Sequence, residues 1–379
     1  MLIVLAAIWV LLNLMTGGAF LSARNLFNLS LQVAVVGVMA TGMVLVIVSR
    51  NIDLSIGSIL GFVGVFGALV QTDYLGLGHG YTWWVASLLM LILGTLIGAG
   101  QGAIIAFGGV PSFVVTLGGL LFFRNAAFQI NLGATVAPLD QSFQLLGGGL
   151  YGTIGAFWSW VIGAAAIALI AVSTISIRRK RQRFGFPVRT LLMEAVAIAL
   201  WSLLVLLFVS VMNSYLQPKT GIPMGIAIPV LILIGVTLIM TVIARKTAFG
   251  RYVYAIGGNP ESAELAGIKV KKTIVKIFAL MGFLSGVASI IITARLNAGA
   301  SVTGILTELN VIAAAVIGGT SLAGGIGTIY GAVLGAVFMQ SLENGMVLLG
   351  IPTPAQKMVI AVVLVAAVWV DRIYQRSRT

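Results

Sequence analysis

The chain has 379 residues, of which 60% are hydrophobic and only 8% charged, with a formal net charge of +13 and no cysteine. A water-soluble domain of that composition would leave most of its apolar surface in contact with water, so the chain reads as an integral membrane protein. The lack of cysteine excludes a disulfide framework, thiol chemistry and a cysteine-based metal site.

Apolar runs of about 20 residues recur along the whole length, each long enough to cross a hydrocarbon core of about 30 Å as a helix. The period-two alternation of a closed barrel is absent. The expected architecture is all-α and polytopic, with about 12 membrane helices (10–12) in a single domain over residues 1–379. In chain order the spans fall near 1–19, 29–48, 54–72, 84–107, 112–131, 154–176, 190–212, 224–244, 277–295, 305–320, 327–345 and 356–371. The first run lacks a basic leader and a small-residue cleavage site, and reads as a span. The pair around 305–345 could instead be broken or re-entrant.

Basic residues set the orientation, because short cytoplasmic loops keep an excess of Lys and Arg. One cluster holds Arg178, Arg179, Lys180, Arg181, Arg183 and Arg189; a second, in the loop over 245–276, holds Arg245, Lys246, Arg251, Lys269, Lys271, Lys272 and Lys276; Arg372, Arg376 and Arg378 end the chain. Even numbers of spans separate them, so all three lie on one side, which must be the cytoplasm, and both termini lie there too. The positive charge hugs span ends without interleaved aromatics, which argues against nucleic-acid binding.

The segment "AIGGNPESAELAGIKVKK" at 255–272 is a polar, well-capped short helix in an otherwise apolar chain. Asn259 is an N-cap, Pro260 suits the first turn, Glu261 and Glu264 complement the positive end of the helix dipole, and Gly267 is a natural stop. Two turns of helix are not stable alone, so the segment either tidies a loop or docks against a partner. The full capping pattern favours docking.

The stretch "RKTAFGRYVYAIGGNPESAELAGIKVKK" resembles the cytoplasmic coupling loop of permease subunits of bacterial ABC sugar importers, the ribose and xylose group. "SRNIDLSIGSILG" at 49–61 and "IAAAVIGGTSLAGGIGTIYGAVLGA" at 312–336 resemble two further stretches of that family. The resemblance implies a multi-pass inner-membrane subunit that gates a sugar path. It also implies cytoplasmic ATP-binding subunits docked on the short helix and a periplasmic sugar-binding protein delivering substrate. Against the ribose pattern the chain carries an insert with an extra span over 178–222, a layout that resembles xylose-type permeases and tilts the substrate towards D-xylose.

"IGSILG" at 56–61 and "IGTIYG" at 326–331 are nearly the same string, each after a polar or glycine-bearing break, and point to an internal duplication of parallel or inverted sense. In the first break Arg50, Asn51 and Asp53 sit between apolar runs; Asp53 could cap the following helix while pairing with Arg50, or the three could serve a gate or the sugar path. Gly327, Gly331 and Gly335, like Gly98 and Gly102, form small-residue stripes for close helix packing. A neutral pentose needs scattered amides and hydroxyls along its path, and Asn51, Gln101, Thr116, Asn310 and Gln340 are the intramembrane candidates. Glu194, Glu308 and Glu343 fall towards span ends and read as interfacial; His79 beside Trp83 and Trp84 reads as part of an outer interfacial belt.

An ion-coupled carrier would need several buried carboxylates or histidines, whereas the chain has nine acids and one histidine. No nucleophile with its base, no metal cluster and no cofactor motif stands out, and no "GxxxxGK[ST]" phosphate loop is present, so the chain is not expected to be an enzyme or to hydrolyse ATP itself. One docking helix per chain, against ATPases that work in pairs, predicts a homodimer embedded in membrane lipid.

Overall fold

In the computed structural model, residues 1–74, 82–149, 152–188, 190–218 and 220–376 are described; His79, Arg189 and Arg378 lie outside them. The described chain is helical, with only isolated bridges between loops. The helices are α1 (Leu2–Met15), α2 (Ala23–Val48), α3 (Ile56–Leu69), α4 (Thr82–Gly108), α5 (Ser112–Asn131), α6 (Gln141–Gln144), α7 (Gly155–Arg183) and α8 (Leu191–Ser214), followed by α9 (Ile228–Lys246), α10 (Ala248–Gly258), α11 (Pro260–Leu265), α12 (Val270–Leu296), α13 (Thr307–Ile317), α14 (Ile329–Leu348) and α15 (Thr353–Arg376). Each of the twelve expected spans corresponds to one of these helices.

Eight of them are long and apolar enough to cross a membrane by length and composition. Two of the rest, α3 and α13, each follow a non-helical stretch, 49–55 and 297–306; α3 runs on from its 14 residues through a five-residue π-helix, Val70–Tyr74, whereas α13 has only 11 residues. Eleven residues of α13 rise about 16 Å, half of a hydrocarbon core. The tip of α3 meets the foot of α13, since a Cβ on Gly57 would lie 2.5 Å from the Gly304 carbonyl and 2.1 Å from Glu308 Oε2. Further along α3, Gly64 and Ala68 pack against Gly299.

The core is α2, buried along almost its whole length, with α12 packed against it. Around this pair the contacts repeat: α12 lies on α4 as α2 lies on α14, α3 on α5 as α13 on α15, and α3 on α12 as α13 on α2. Because α2 ends on the face where α12 begins, the two halves, α2–α5 and α12–α15, have inverted topology. The sequence carries the same repeat in the turns before α5 and α15, Gly109-Val110-Pro111-Ser112 and Gly350-Ile351-Pro352-Thr353, whose glycines both have φ +69°. The pairing of "IGSILG" with "IGTIYG" does not hold, since the first opens α3 whereas the second leads into α14, the counterpart of α4.

The small-residue stripes bring backbones together inside the protomer. Cβ atoms on Gly98 and Gly335 would lie 2.1 Å and 1.9 Å from the carbonyls of Phe278 and Ala314, so no other residue fits there without moving helix backbone. By contrast α7 and α8 form an exposed outlying hairpin that touches α2, with Arg178 Nη1 and Glu194 Oε2 paired at 2.8 Å across it. The described part of 178–222 belongs to this hairpin and to the turn after it.

Candidate functional site

The basic loop over 245–276 builds a two-helix platform. Thr247 caps α10 by accepting from Gly250 N at 3.1 Å. Asn259 caps α11 by accepting from Ser262 N at 3.0 Å, with Pro260 in the first turn and Glu261 beside the free N–H groups. At the other end Gly267 sits at φ +82°, and the bonds Ile268 N to Ala263 O and Gly267 N to Glu264 O close a Schellman turn. Only Ala263 of α11 is buried, while Glu261, Glu264 and Leu265 face outward. Leu265 is 90% exposed, an apolar knob on a polar helix that the capping pattern alone did not single out.

This platform is fastened to the first break and to the loop before α14. Arg50, in the left-handed region at φ +63°, turns away from Asp53 and donates Nε to Gly257 O at 2.8 Å and Nη2 to Gly258 O at 2.7 Å. It thereby satisfies carbonyls at the negative end of α10. Gly325 N, from the loop before α14, donates to Val48 O at 2.9 Å, and Tyr254 Oη donates to Gly327 O at 2.8 Å. Burial pushes the Tyr254 phenol above its usual range, with Arg245 pulling the other way, so it remains a proton donor at neutral pH. Asn51 stays local: its backbone N–H and side-chain amide close the end of α2 on Val46 O and Ser49 O.

Gln101 and Thr116 gather at the first break and brace it. Asp53 Oδ1 accepts from Ser55 N at 2.8 Å, and Ser55 Oγ lies 2.6 Å from that oxygen and 3.0 Å from Gln101 Oε1. Thr116 Oγ1 is 3.2 Å from Ile52 O, and Ser112 Oγ accepts from Ile52 N at 3.3 Å. The expected Arg50–Asp53 pair is therefore absent: the carboxylate serves the turn into α3, the guanidinium the end of α10.

The second break has a matching cluster on the opposite face. Glu343 Oε1 pairs with Lys357 Nζ at 2.8 Å, and Oε2 accepts from Asn310 Nδ2 at 3.1 Å and Gln340 Nε2 at 3.2 Å. The three elements involved, the start of a helix that follows a break, the end of the next helix and the first turn after the Gly-Ile-Pro-Thr bend, are those that bring Ser55, Gln101 and Thr116 together in the other half. These groups, with Gln32, Arg295 and Thr307, line a cavity of about 400 Å³. Glu343 is thus an internal group, not an interfacial one, because its partner Lys357 reaches it across the bend. Glu308 is likewise internal, 3% exposed at the foot of α13, where Arg124 donates to the Thr303 and Gly304 carbonyls at 3.3 Å each. A second cavity, of about 680 Å³, is lined by Gln141, Ser142, Gln144 and Asn297 among others and shares Arg295 with the first.

Comparison with known proteins accounts for this geometry. Residues 25–368 match the family described as branched-chain amino acid transport system / permease component. The chain is 39% identical over 376 residues to the xylose transport system permease protein XylH of Haemophilus influenzae, covering 98% of this chain and 95% of that protein. It is 38% identical over 378 residues to XylH of Escherichia coli (99% and 92%), and 33% identical over 352 residues to the ribose import permease protein RbsC of Escherichia coli (93% and 87%). No solved structure matches. An apolar, all-helical chain with paired broken helices and these relatives belongs to the branched-chain amino acid transport system / permease component family, as a multi-pass membrane subunit of an ABC-type transport system.

Proposed function

We propose that the chain is the membrane subunit of an ATP-driven importer that moves a pentose, D-xylose, into the cytoplasm. The basic face lies in the cytoplasm with both termini, and α11 is the contact for an ATP-binding subunit that supplies the energy this chain does not generate. The observation that carries this reading is the fastening of the α10–α11 platform to the first break through Arg50 and to the loop between α13 and α14 through Tyr254. A push on α11 reaches the stretch before α3 and the loop after α13 through hydrogen bonds rather than flexible linker. Xylose is favoured over ribose by the relatives' names and identities and by the 178–222 segment, which would be the added feature of the xylose type.

A second copy completes the assembly. One α11 per chain, against ATP-binding subunits that work in pairs, supports a two-fold homodimer that offers one α11 to each ATPase subunit and receives sugar from a periplasmic binding protein on the opposite face. Native mass measurement should give two copies of this chain.

The test is Leu265→Asp. The side chain packs on nothing in the protomer, so insertion and melting temperature should be unchanged, while co-purification of the ATPase and xylose uptake should both be lost. Wild-type uptake with wild-type ATPase retention would overturn the docking reading.

A further inference from the structure

We propose that Arg295 and the smaller of its two cavities form a sugar-binding station inside the permease, with Arg295 as the group that receives the sugar from the larger one. The inference rests on the importer reading and adds a site to it. Of the residues lining the two cavities, Arg295 alone belongs to both walls. It sits in the last turn of α12, partly buried, and its guanidinium has no ion-pair or hydrogen-bond partner among the described residues. A permanent charge at membrane depth is costly unless paired or facing an aqueous cavity, and here only cavity is available to it. Five N–H donors in a fixed fork are therefore free to meet a ligand.

The cavity offers the complementary half. Glu343, held by Lys357, Asn310 and Gln340, lines the same cavity and keeps 22% of its side chain exposed. A sugar hydroxyl is both donor and acceptor, so one polyol can accept from the free fork of Arg295 and donate to the Glu343 carboxylate. An anion would satisfy only the first. The volume of about 400 Å³ falls in the range of small-molecule sites. Because the station lies within the permease, it would contact the sugar after release from any delivery protein. It would therefore add a second check on substrate identity.

The experiment uses the assembled permease and ATPase complex in detergent without the binding protein, with saturation-transfer NMR and thermal shift as readouts and D-xylose, ribose and xylonate as probes. Wild type should show a xylose signal. Arg295→Met should weaken it by about tenfold or more, the loss of a charged donor facing hydroxyls. Arg295→Lys, which keeps the charge but not the fork, should give an intermediate loss and keeps the test open if the Met variant does not insert. Leu265→Asp, in the permease alone, should bind xylose as wild type does, which separates failure of this station from failure of the docking reading. A wild-type protein with no xylose signal, a wild-type signal in either folded Arg295 variant, or a signal for xylonate in place of xylose would overturn the proposal.

Discussion

Arg50→Ala tests whether the cytoplasmic platform and the first break move as one body. The change removes two hydrogen bonds from a charged donor, at 2.8 Å and 2.7 Å, to the last carbonyls of α10. Bonds to charged groups contribute about 1.5–3 kcal/mol each when shielded, but the outer part of this guanidinium is in water, so about 2 kcal/mol for the pair is the reasonable figure. At about 1.4 kcal/mol per factor of ten, the fastened arrangement would become roughly thirtyfold less favoured. The core of α2 is untouched, and the melting temperature should fall by only a few degrees. In proteoliposomes with all partners, ATP hydrolysed per xylose transported should rise, because hydrolysis strokes at α11 no longer reach α3. Arg50→Lys should rescue poorly, since a point charge cannot span two carbonyls as a planar fork does. An unchanged ratio of ATP to sugar in Arg50→Ala would refute the reasoning, whatever happened to the overall rate.

Two further substitutions probe other parts of the structure. Gly57→Ala should destabilise by about 1–3 kcal/mol and abolish uptake, because its methyl would lie 2.5 Å from the Gly304 carbonyl at the junction of α3 and α13; Gly118→Ala, with open space around it, should be neutral or slightly stabilising, and equal melting temperatures for the two would contradict the junction. Neutralising Arg178 to Arg183 should lower expression or disturb topology while leaving uptake per inserted molecule near wild type, measured against surface-labelled protein; loss of uptake in correctly inserted protein would give the hairpin a direct role.

What the sequence made legible follows the range of the forces involved. Capping is local, so Asn259, Pro260 and Gly267 announced α11, and apolar runs placed each long helix but cut short those that run on into polar sequence, as α7 does to Arg183 and α12 does from Val270. Depth is not local: the sequence left 305–345 open to a broken or re-entrant reading, and only the structure shows that α13 stops after 11 residues. Charge pairing was also misread where it skipped sequence neighbours. Arg50 and Asp53 are three positions apart and yet face different partners, because a left-handed residue turns the chain between them. Glu343 looked interfacial because it stands near the end of α14, and only the Gly-Ile-Pro-Thr bend brings Lys357 back to it. That bend was the readable clue to the repeat, having a close counterpart at Gly109 to Ser112, whereas the longer string match at 56 and 326 drew attention to positions with different roles.

The inverted halves have a consequence for motion. In this conformation the two equivalent polar clusters are unlike: the one around Glu343 borders open volume, while the one around Asp53, Gln101 and Thr116 is packed shut. Since each is assembled from corresponding elements, the conformation of either half is a template for the other. Exchanging them, so that α3 with its flanking bend takes the posture of α13 and the reverse, describes a state packed shut around Glu343 and open around Asp53. One set of backbone geometries, assigned to the halves in two ways, would then supply both ends of an alternating-access cycle.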